Sequence, residues 1–418
     1  MSDQQVDVFV QIGGRDVPAG TLCTHEGRQG DSATFEYHRD YLAHPRAYDL
    51  DPALPRVGGR LQTASGVALF GAMGDCAPDG WGRTLIVRAE REDALSESRP
   101  ARKVREIDFL LGVRDDQRQG ALRFQHDGGP FLADGERGVP PLVDLPRLLN
   151  AAAKFERDTA SASDLRLLLR AGGSLGGARP KAYVLDKQGR VLIAKFPRVT
   201  QDTWDVTTWE AITLDLARQA GITTPDSTLR QVDGKPVLLI QRFDRDATGG
   251  RIAYVSGMTL LETTDGHTHD YLDLADVIEQ TSPSTIADLH ELWRRVAFGR
   301  LVHNTDDHLR NHGFIRHNDA GWSLSPVFDV NPNPEPTEFR TTLGGGDGDH
   351  PDVLLDATVA AAFRLKPERA REVVREVICA LASWREVAER HGVLRREVEL
   401  MANAFESPRA IAIREAMA

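Results

Sequence analysis

Cysteine is scarce in this chain. Its 418 residues hold only Cys23, Cys76 and Cys379, each more than fifty residues from the next, with no Cys-x-x-Cys pair. That argues against a structural zinc site or a disulfide framework and suits a reducing compartment. Long apolar runs are missing too: none approaches eighteen residues, so no membrane span is expected. A basic excess is also absent, because 51 Lys and Arg face 62 Asp and Glu for a net charge of −11. This speaks against wrapping nucleic acid over the whole surface and leaves room only for a local basic patch. The opening "MSDQQVDVFVQIGG" is acidic and alternating, the pattern of a strand and not of a secretory leader. Internal repeats are absent. With 41% hydrophobic and 27% charged residues the composition is that of an ordinary globular protein, and a cytoplasmic location is the expectation.

What is present falls into three stretches. As far as about Phe70, short strands alternate with Gly and Pro: Val6, Val8 and Val10 lie on one face, "GGRDVPAG" reads as a turn, and "SATFEYHRDYLA" as the next strand. "PDGWGRTLIVRAERE" predicts a turn and a helix, and "REIDFLLGVRDDQRQGALRF" a helix, a loop and a strand. "QHDGGPFLADGERGVPP" is the best linker candidate. Two helices follow, then a glycine cluster over 172–177, the strands "KAYVLD" and "VLIAKFPR" around a "KQGR" turn, an amphipathic helix ended by Gly221, and the strand "GKPVLLIQRFDRD". Beyond about Leu260 the pattern is helical, interrupted once by "HGFIRHNDAGWSLSPVFD", a hairpin turning near residues 318–321. "LGGGDGD" reads as a flexible loop and "HTHD" as a solvated one.

The chemistry concentrates in "HNTDDHLRNHGF" (303–314), where seven of the first eight side chains are polar or ionisable, directly after the apolar "LWRRVAFGRLV". Asp306 precedes Asn311 by five positions, the acid-to-amide interval of the protein-kinase catalytic loop. A carboxylate that meets a hydroxyl and an amide oxygen that holds a cation must sit a few ångströms apart, and a loop leaving a helix can aim both. The neighbouring Asp307 competes for the role of base, but only Asp306 sets the four-residue gap. His303 and His308 read as bracing groups, since Mg2+ prefers oxygen. Asp329 closes the hairpin after Val327 and Phe328, where a poorly solvated carboxylate needs a cation. Lys195 stands in the apolar strand "VLIAKFP", and Glu210 on the next helix beside Trp209 and Ile212, a strand lysine and helix acid of the kind that hold nucleotide phosphates. "AGGSLGGARPKAYVL" fails the Walker pattern and the strict G-x-G-x-x-G, yet Gly176, Gly177, Ala178 and the following Lys181 describe a loop whose backbone can approach an anion.

In this order the parts resemble the HipA-like serine/threonine kinases, the toxins of bacterial toxin–antitoxin modules. The likeness rests on "PDGWGR", "LLGVRDDQRQGALRF", "GGSLGGARPKA", "LIAKFP", "WEAITLDLARQAGI", "LLIQRFDR", "HNTDDHLRNHGF" and "LSPVFDV". The implied fold class is α+β: a protein-kinase-like bilobal core with a mixed α/β N-lobe and a mainly helical C-lobe, preceded by a small β-rich N-terminal subdomain. Its boundaries would be 1–140 for the N-terminal domain (β-rich to about 75), 141–245 for the N-lobe and 246–418 for the C-lobe. The resemblance implies Asp306 as base, Asn311 and Asp329 as Mg2+ ligands, and Lys195 at the ATP phosphates. It implies Gln241 to Phe243 as the adenine hinge and Ser174 as an autophosphorylated serine whose phosphate would repel ATP and silence the enzyme.

ATP and Mg2+ would then be cofactors, and a HipB-like DNA-binding antitoxin the partner, with DNA reached only through it. The implied target is an aminoacyl-tRNA synthetase, the glutamyl enzyme first. Asp329-Val330-Asn331 departs from the eukaryotic Asp-Phe-Gly, so no Phe flip is implied. Two other functions remain open on the same residues: a phosphotransferase acting on a small molecule or lipid, and a non-catalytic nucleotide-binding regulator.

Overall fold

The computed structural model describes residues 4–27, 30–132, 138–200, 202–317, 320–345 and 351–417. The chain divides into two compact units, Met1–Asp202 with Arg230–Val255, and Thr203–Leu229 with Ser256–Ala418.

The first unit contains two sheets. In one, β1 (Gln4–Ile12), β2 (Arg15–His25), β3 (Ser32–Tyr37), β4 (Arg60–Gln62) and β5 (Leu122–Gln125) run in the order β4-β3-β2-β1-β5. Val6, Val8 and Val10 are buried as their alternation predicts. The predicted turn "GGRDVPAG" is shorter than expected. Only Gly13 and Gly14 turn, at φ +57° and +76°, the two positive values that a two-residue hairpin demands. Arg15 to Gly20 already belong to β2, and Pro18 is accommodated there because the register shifts opposite Val8 and Phe9. Similarly, "SATFEYHRDYLA" is a strand only to Tyr37 and then a short helix, Arg39–Leu42, whose Tyr41 ring stacks on Tyr37 at 5.4 Å.

The second sheet comprises β6 (Lys181–Leu185), β7 (Val191–Lys195), β8 (Ser227–Val232) and β9 (Lys235–Gln241), ordered β6-β7-β9-β8. The helices Gly80–Ser96, Leu145–Glu156 and Ala162–Gly172 cover one face, joining Trp81, Leu148, Leu168, Ala182, Ala194 and Leu239 in one core. Ser161 and Asp164 form the capping box that starts the last of these helices. Of the linker candidate, residues 133–137 lie outside the described residues, whereas Pro140 accepts a 2.8 Å hydrogen bond from the Leu185 amide and so belongs to the sheet edge.

The second unit is mainly helical. Its helix Val206–Gln219 is buried on all sides rather than amphipathic, from Val206 through Leu214. Thr213 donates to the Trp209 carbonyl and Thr208 to the N-cap Asp205, while Trp209 Nε1 donates to Glu397 at 2.9 Å. Gly221, at φ +78°, ends it as expected. The helical stretch after Leu260 has two interruptions, not one. Beside the hairpin Gly313–Arg316 with Ser323–Leu324, His269–Asp270 pairs in parallel with Thr341–Thr342. Of "HTHD", His267 and Thr268 are exposed irregular chain as expected, whereas His269 and Asp270 are strand. Asp270 caps the helix Tyr271–Thr281 and accepts the amides of Gly344 and Gly345 at 3.1 and 3.0 Å. Those two glycines are tied down and Leu343 before them is buried; residues 346–349, like the hairpin tip at Asn318 and Asp319, lie outside the described residues.

Candidate active site

The helix Thr285–Leu301 delivers the polar loop. His303 turns the chain at φ +54°, and a single 3-10 turn, Leu309–Asn311, leads into the strand Gly313–Arg316. The segment after Asp329 zips onto this loop almost residue by residue. His303 Nδ1 donates to the Asn333 carbonyl at 2.6 Å, Asn304 Oδ1 accepts from the Asn331 amide at 3.2 Å, and Thr305 Oγ1 accepts from Asn333 Nδ2 at 2.9 Å. The Arg340 amide bonds the Thr305 carbonyl at 3.0 Å, and Thr341 Oγ1 the Asp307 carbonyl. His303 thus braces the loop as its sequence suggests. His308 does not: its Nδ1 is buried without a hydrogen-bond partner.

The adjacent acids have opposite environments. Asp307 is enclosed: the Tyr271 hydroxyl donates to Oδ2, and His312 Nε2 stands 3.2 Å from Oδ1, out of line for a hydrogen bond. Burial pushes the Asp307 carboxyl up, but His312 and Tyr271 outweigh it and hold it below the usual range, while burial and Asp307 push the Tyr271 phenol far up. The pair is therefore carboxylate and neutral phenol at neutral pH. Tyr271→Phe should destabilise the protein by about 1–3 kcal/mol, since it strips a buried carboxylate of its donor. Urea unfolding measures this, and an unchanged midpoint would contradict the assignment. Asp306, by contrast, is 71% exposed, with Oδ1 on Arg340 Nε at 2.8 Å. Asn311 Nδ2 donates to the Asp306 carbonyl at 3.2 Å, which engages the nitrogen of the carboxamide and not its oxygen.

Asp329 does not end an apolar strand. The strand stops at Leu324, because Pro326 has no amide to continue it, and Asp329 sits in irregular chain at φ +58°. A non-glycine residue held in that region marks a position constrained by its surroundings. Among the described residues no group of three or more His, Cys, Asp or Glu could hold a metal ion. One carboxylate and one amide nonetheless fit Mg2+, which keeps few protein ligands when it shares phosphate and water. The Asn331 Oδ1, two residues past Asp329, is buried with no hydrogen-bond partner and adds a further oxygen at that turn.

In the first unit, Lys181 and Lys195 are directly opposite each other across β6 and β7, each 8% exposed. They lie on the face away from the helices, the face that also carries Tyr183 and Ile193. The two ammonium groups therefore belong to one face of this sheet. Gln241 ends β9, its Oε1 accepting from Arg190 at 3.1 Å, and the Phe243 ring lies 6.2 Å from Tyr254. Ser174 Oγ donates to Gln117 Oε1 at 3.3 Å. In the glycine loop the Gly177 amide donates to Asp79. Glu210 is 2% exposed and belongs, with Asp306, Asn311 and Asp329, to the second unit. Sequence reasoning missed Gln117, Asp79 and Arg340. "PDGWGR" and "RDDQRQGALRF" stood out as motifs, but nothing local tied either to the glycine loop.

Residues 173–385 match the family model described as the HipA-like C-terminal domain. The chain is similar to Toxin YjjJ of Escherichia coli K12, 27% identical over 275 residues, covering 62% of this chain and 58% of that protein. It is also similar to a candidate kinase of Haemophilus influenzae, 24% identical over 200 residues, covering 41% of this chain and 56% of the other. The chain thus spans little more than half the length of these curated relatives. Among solved structures, HipA of Shewanella oneidensis MR-1, determined with HipB and operator DNA, superposes with a TM-score of 0.67 at 15% identity over 98% of this chain and 97% of that one. The α+β fold expected from the sequence is the fold of that protein. Among the described residues no helix is long and apolar enough to cross a membrane.

Proposed function

The chain belongs to the family that carries the HipA-like C-terminal domain, and from that premise we propose that it is an ATP- and Mg2+-dependent serine/threonine protein kinase acting as a toxin. The observation that carries the reading is the contrast inside one loop. Asp307 is enclosed and braced, which leaves the adjacent Asp306 exposed, anchored through its backbone to Asn311, and able to meet a hydroxyl from solvent. In this reading Asp306 accepts the proton of the target Ser or Thr hydroxyl as the hydroxyl oxygen bonds to the γ-phosphorus, and the bond from that phosphorus to the bridging oxygen breaks so that ADP leaves. Lys195 and Lys181, with the backbone of Gly176, Gly177 and Ala178, are assigned to the phosphates, and Glu210 of the second unit takes the part of the kinase helix acid. The segment Gln241 to Phe243 meets the adenine. Asn311 and Asp329 would hold the magnesium ion, which when bound neutralises charge between the phosphate oxygens.

Partner and target follow the same family logic. A HipB-like DNA-binding antitoxin is the proposed partner, and an excess of acidic residues on this chain fits contact with DNA through that partner. An aminoacyl-tRNA synthetase, the glutamyl enzyme first, is the proposed target. Incubation with γ-labelled ATP, magnesium and an ATP-depleted bacterial lysate tests the reading. Label on a protein band, absent with Asp306→Ala, supports it; label confined to small metabolites sinks it in favour of a small-molecule phosphotransferase. Ser174 is the proposed autophosphorylation site. Preincubation with ATP should inactivate wild type by about tenfold or more and leave Ser174→Ala active, because about two negative charges beside the phosphates oppose nucleotide binding. A Ser174→Ala protein that decays at the wild-type rate would refute this.

A further inference from the structure

The start of the helix Gly80–Ser96 is built around the glycine loop. An Asp at an N-cap ordinarily accepts an amide of its own helix. Asp79 makes no such bond; its carboxylate accepts the Gly177 amide, 98 residues on. The first helical amides, which a helix leaves without intrahelical partners, are also directed to the loop. Trp81 N–H donates to the Gly177 carbonyl at 2.7 Å, and Gly82 N–H to the Leu175 carbonyl at 3.0 Å.

Glycine is required on both sides of this contact. A Cβ on Gly80 would lie 2.5 Å from the Gly177 carbonyl oxygen, and one on Gly82 2.6 Å from that of Gly173. A Cβ on Gly176 would strike the Asp79 carboxylate. These neighbours are mostly backbone and cannot swing aside as a long side chain could. The clasping segment is itself fixed. Trp81 is buried against Phe155 at 5.2 Å, and Arg83 bonds the Pro78 carbonyl at 2.8 Å while pairing with Glu106 at 2.6 Å.

We propose that residues 78–82 form a clasp that sets the position of the Ser174 to Gly177 loop, with Asp79 as a positioning residue for whatever anion the loop and Lys181 receive. Only the identity of that anion, the ATP phosphates, rests on the kinase reading. The clasp makes the amino-terminal part of this chain a working portion of the anion site, since three loop groups are engaged by a segment about a hundred residues earlier. A consequence is that Gly→Ala changes which favour a helix elsewhere should be harmful here.

Hydrogen–deuterium exchange on the full chain, without nucleotide and then with Mg-ATP, tests this in wild type, Asp79→Ala, Asp79→Asn and Gly82→Ala. Gly74→Ala, where an added Cβ meets nothing within 4 Å, is the control. Asp79→Ala and Gly82→Ala should exchange roughly tenfold faster or more in peptides covering 79–84 and 172–180, with the remaining peptides unchanged. Asp79→Asn, which keeps an acceptor for the Gly177 amide, should stay near wild type, as should the control. The Michaelis constant for ATP should rise in Asp79→Ala more than kcat falls, and recover in Asp79→Asn. Exchange in Asp79→Ala equal to wild type would overturn the proposal, and should Gly82→Ala not fold, the Asp79 pair decides alone. Absence of ATP protection in wild type would sink the kinase reading instead, leaving the clasp to be judged on the nucleotide-free data.

Discussion

Asp306→Ala is expected to lower phosphate transfer by about 10²–10⁴-fold, the contribution of a positioned general base, with nucleotide affinity and fold unchanged. Affinity should hold because Asp306 is assigned to the hydroxyl and not to the phosphates. The fold should hold because its ion pair with Arg340 joins two largely exposed groups, 71% and 66% accessible. Such pairs contribute about 0–1 kcal/mol. Asp307→Ala gives the necessary contrast. It should also lose activity, but through lost stability, because it leaves Tyr271 and His312 facing a void. Single-turnover kinetics, nucleotide titration and thermal melts on both variants separate the two roles. An Asp306→Ala protein with wild-type transfer would remove the base assignment, and activity restored by Asp307 alone would move it one position along.

Asp244→Ala should be the most destabilising single change in the first unit, by about 3–5 kcal/mol, as expected when one partner of a buried ion pair is removed. Its carboxylate is 5% exposed and is reached by Arg242 Nη2 at 2.6 Å, Arg245 Nη1 at 3.0 Å and the Gly120 amide at 2.8 Å. The same arginines satisfy a distant turn: Arg242 donates to the Gln117 carbonyl at 2.8 Å and Arg245 to that of Arg118 at 2.7 Å. Removing Asp244 strands two buried guanidinium groups and loosens the turn that presents Gln117 to Ser174. Burial pushes the Asp244 carboxyl up, yet Arg242 and Arg245 dominate and hold it well below the ordinary range. A group with a depressed folded pKa stabilises above its unfolded pKa, near 4, and loses that contribution as pH falls further. The gap between wild type and variant should therefore be full at neutral pH and narrow below about pH 4. Denaturant midpoints across pH measure it; a gap under about 1 kcal/mol at pH 7 would mean the network is replaceable.

Several features were legible in the residues themselves. The alternation of Val6, Val8 and Val10 predicts β1, and the glycine after "LDLARQA" predicts the helix end at φ +78°. The "KQGR" turn predicts the β6–β7 hairpin. Errors arose where tertiary contacts override local pattern. Pro18 looks like turn punctuation but sits at a register shift; "HTHD" looks solvated but its Asp270 accepts four hydrogen bonds, from Thr342, Gly344, Gly345 and Leu272 in the helix it caps.

By itself the sequence determined the parts: which stretches can be strand or helix, and which intervals, such as Asp306 to Asn311, allow two side chains to share a loop. Those rules act over a few residues, where backbone geometry alone links position to direction. Only the tertiary structure decided that Asp307 is enclosed while Asp306 is exposed, that Lys181 opposes Lys195, and that Asp79 holds Gly177. Each depends on a register or a packing contact between segments far apart in the chain, and no local periodicity encodes which groups meet there.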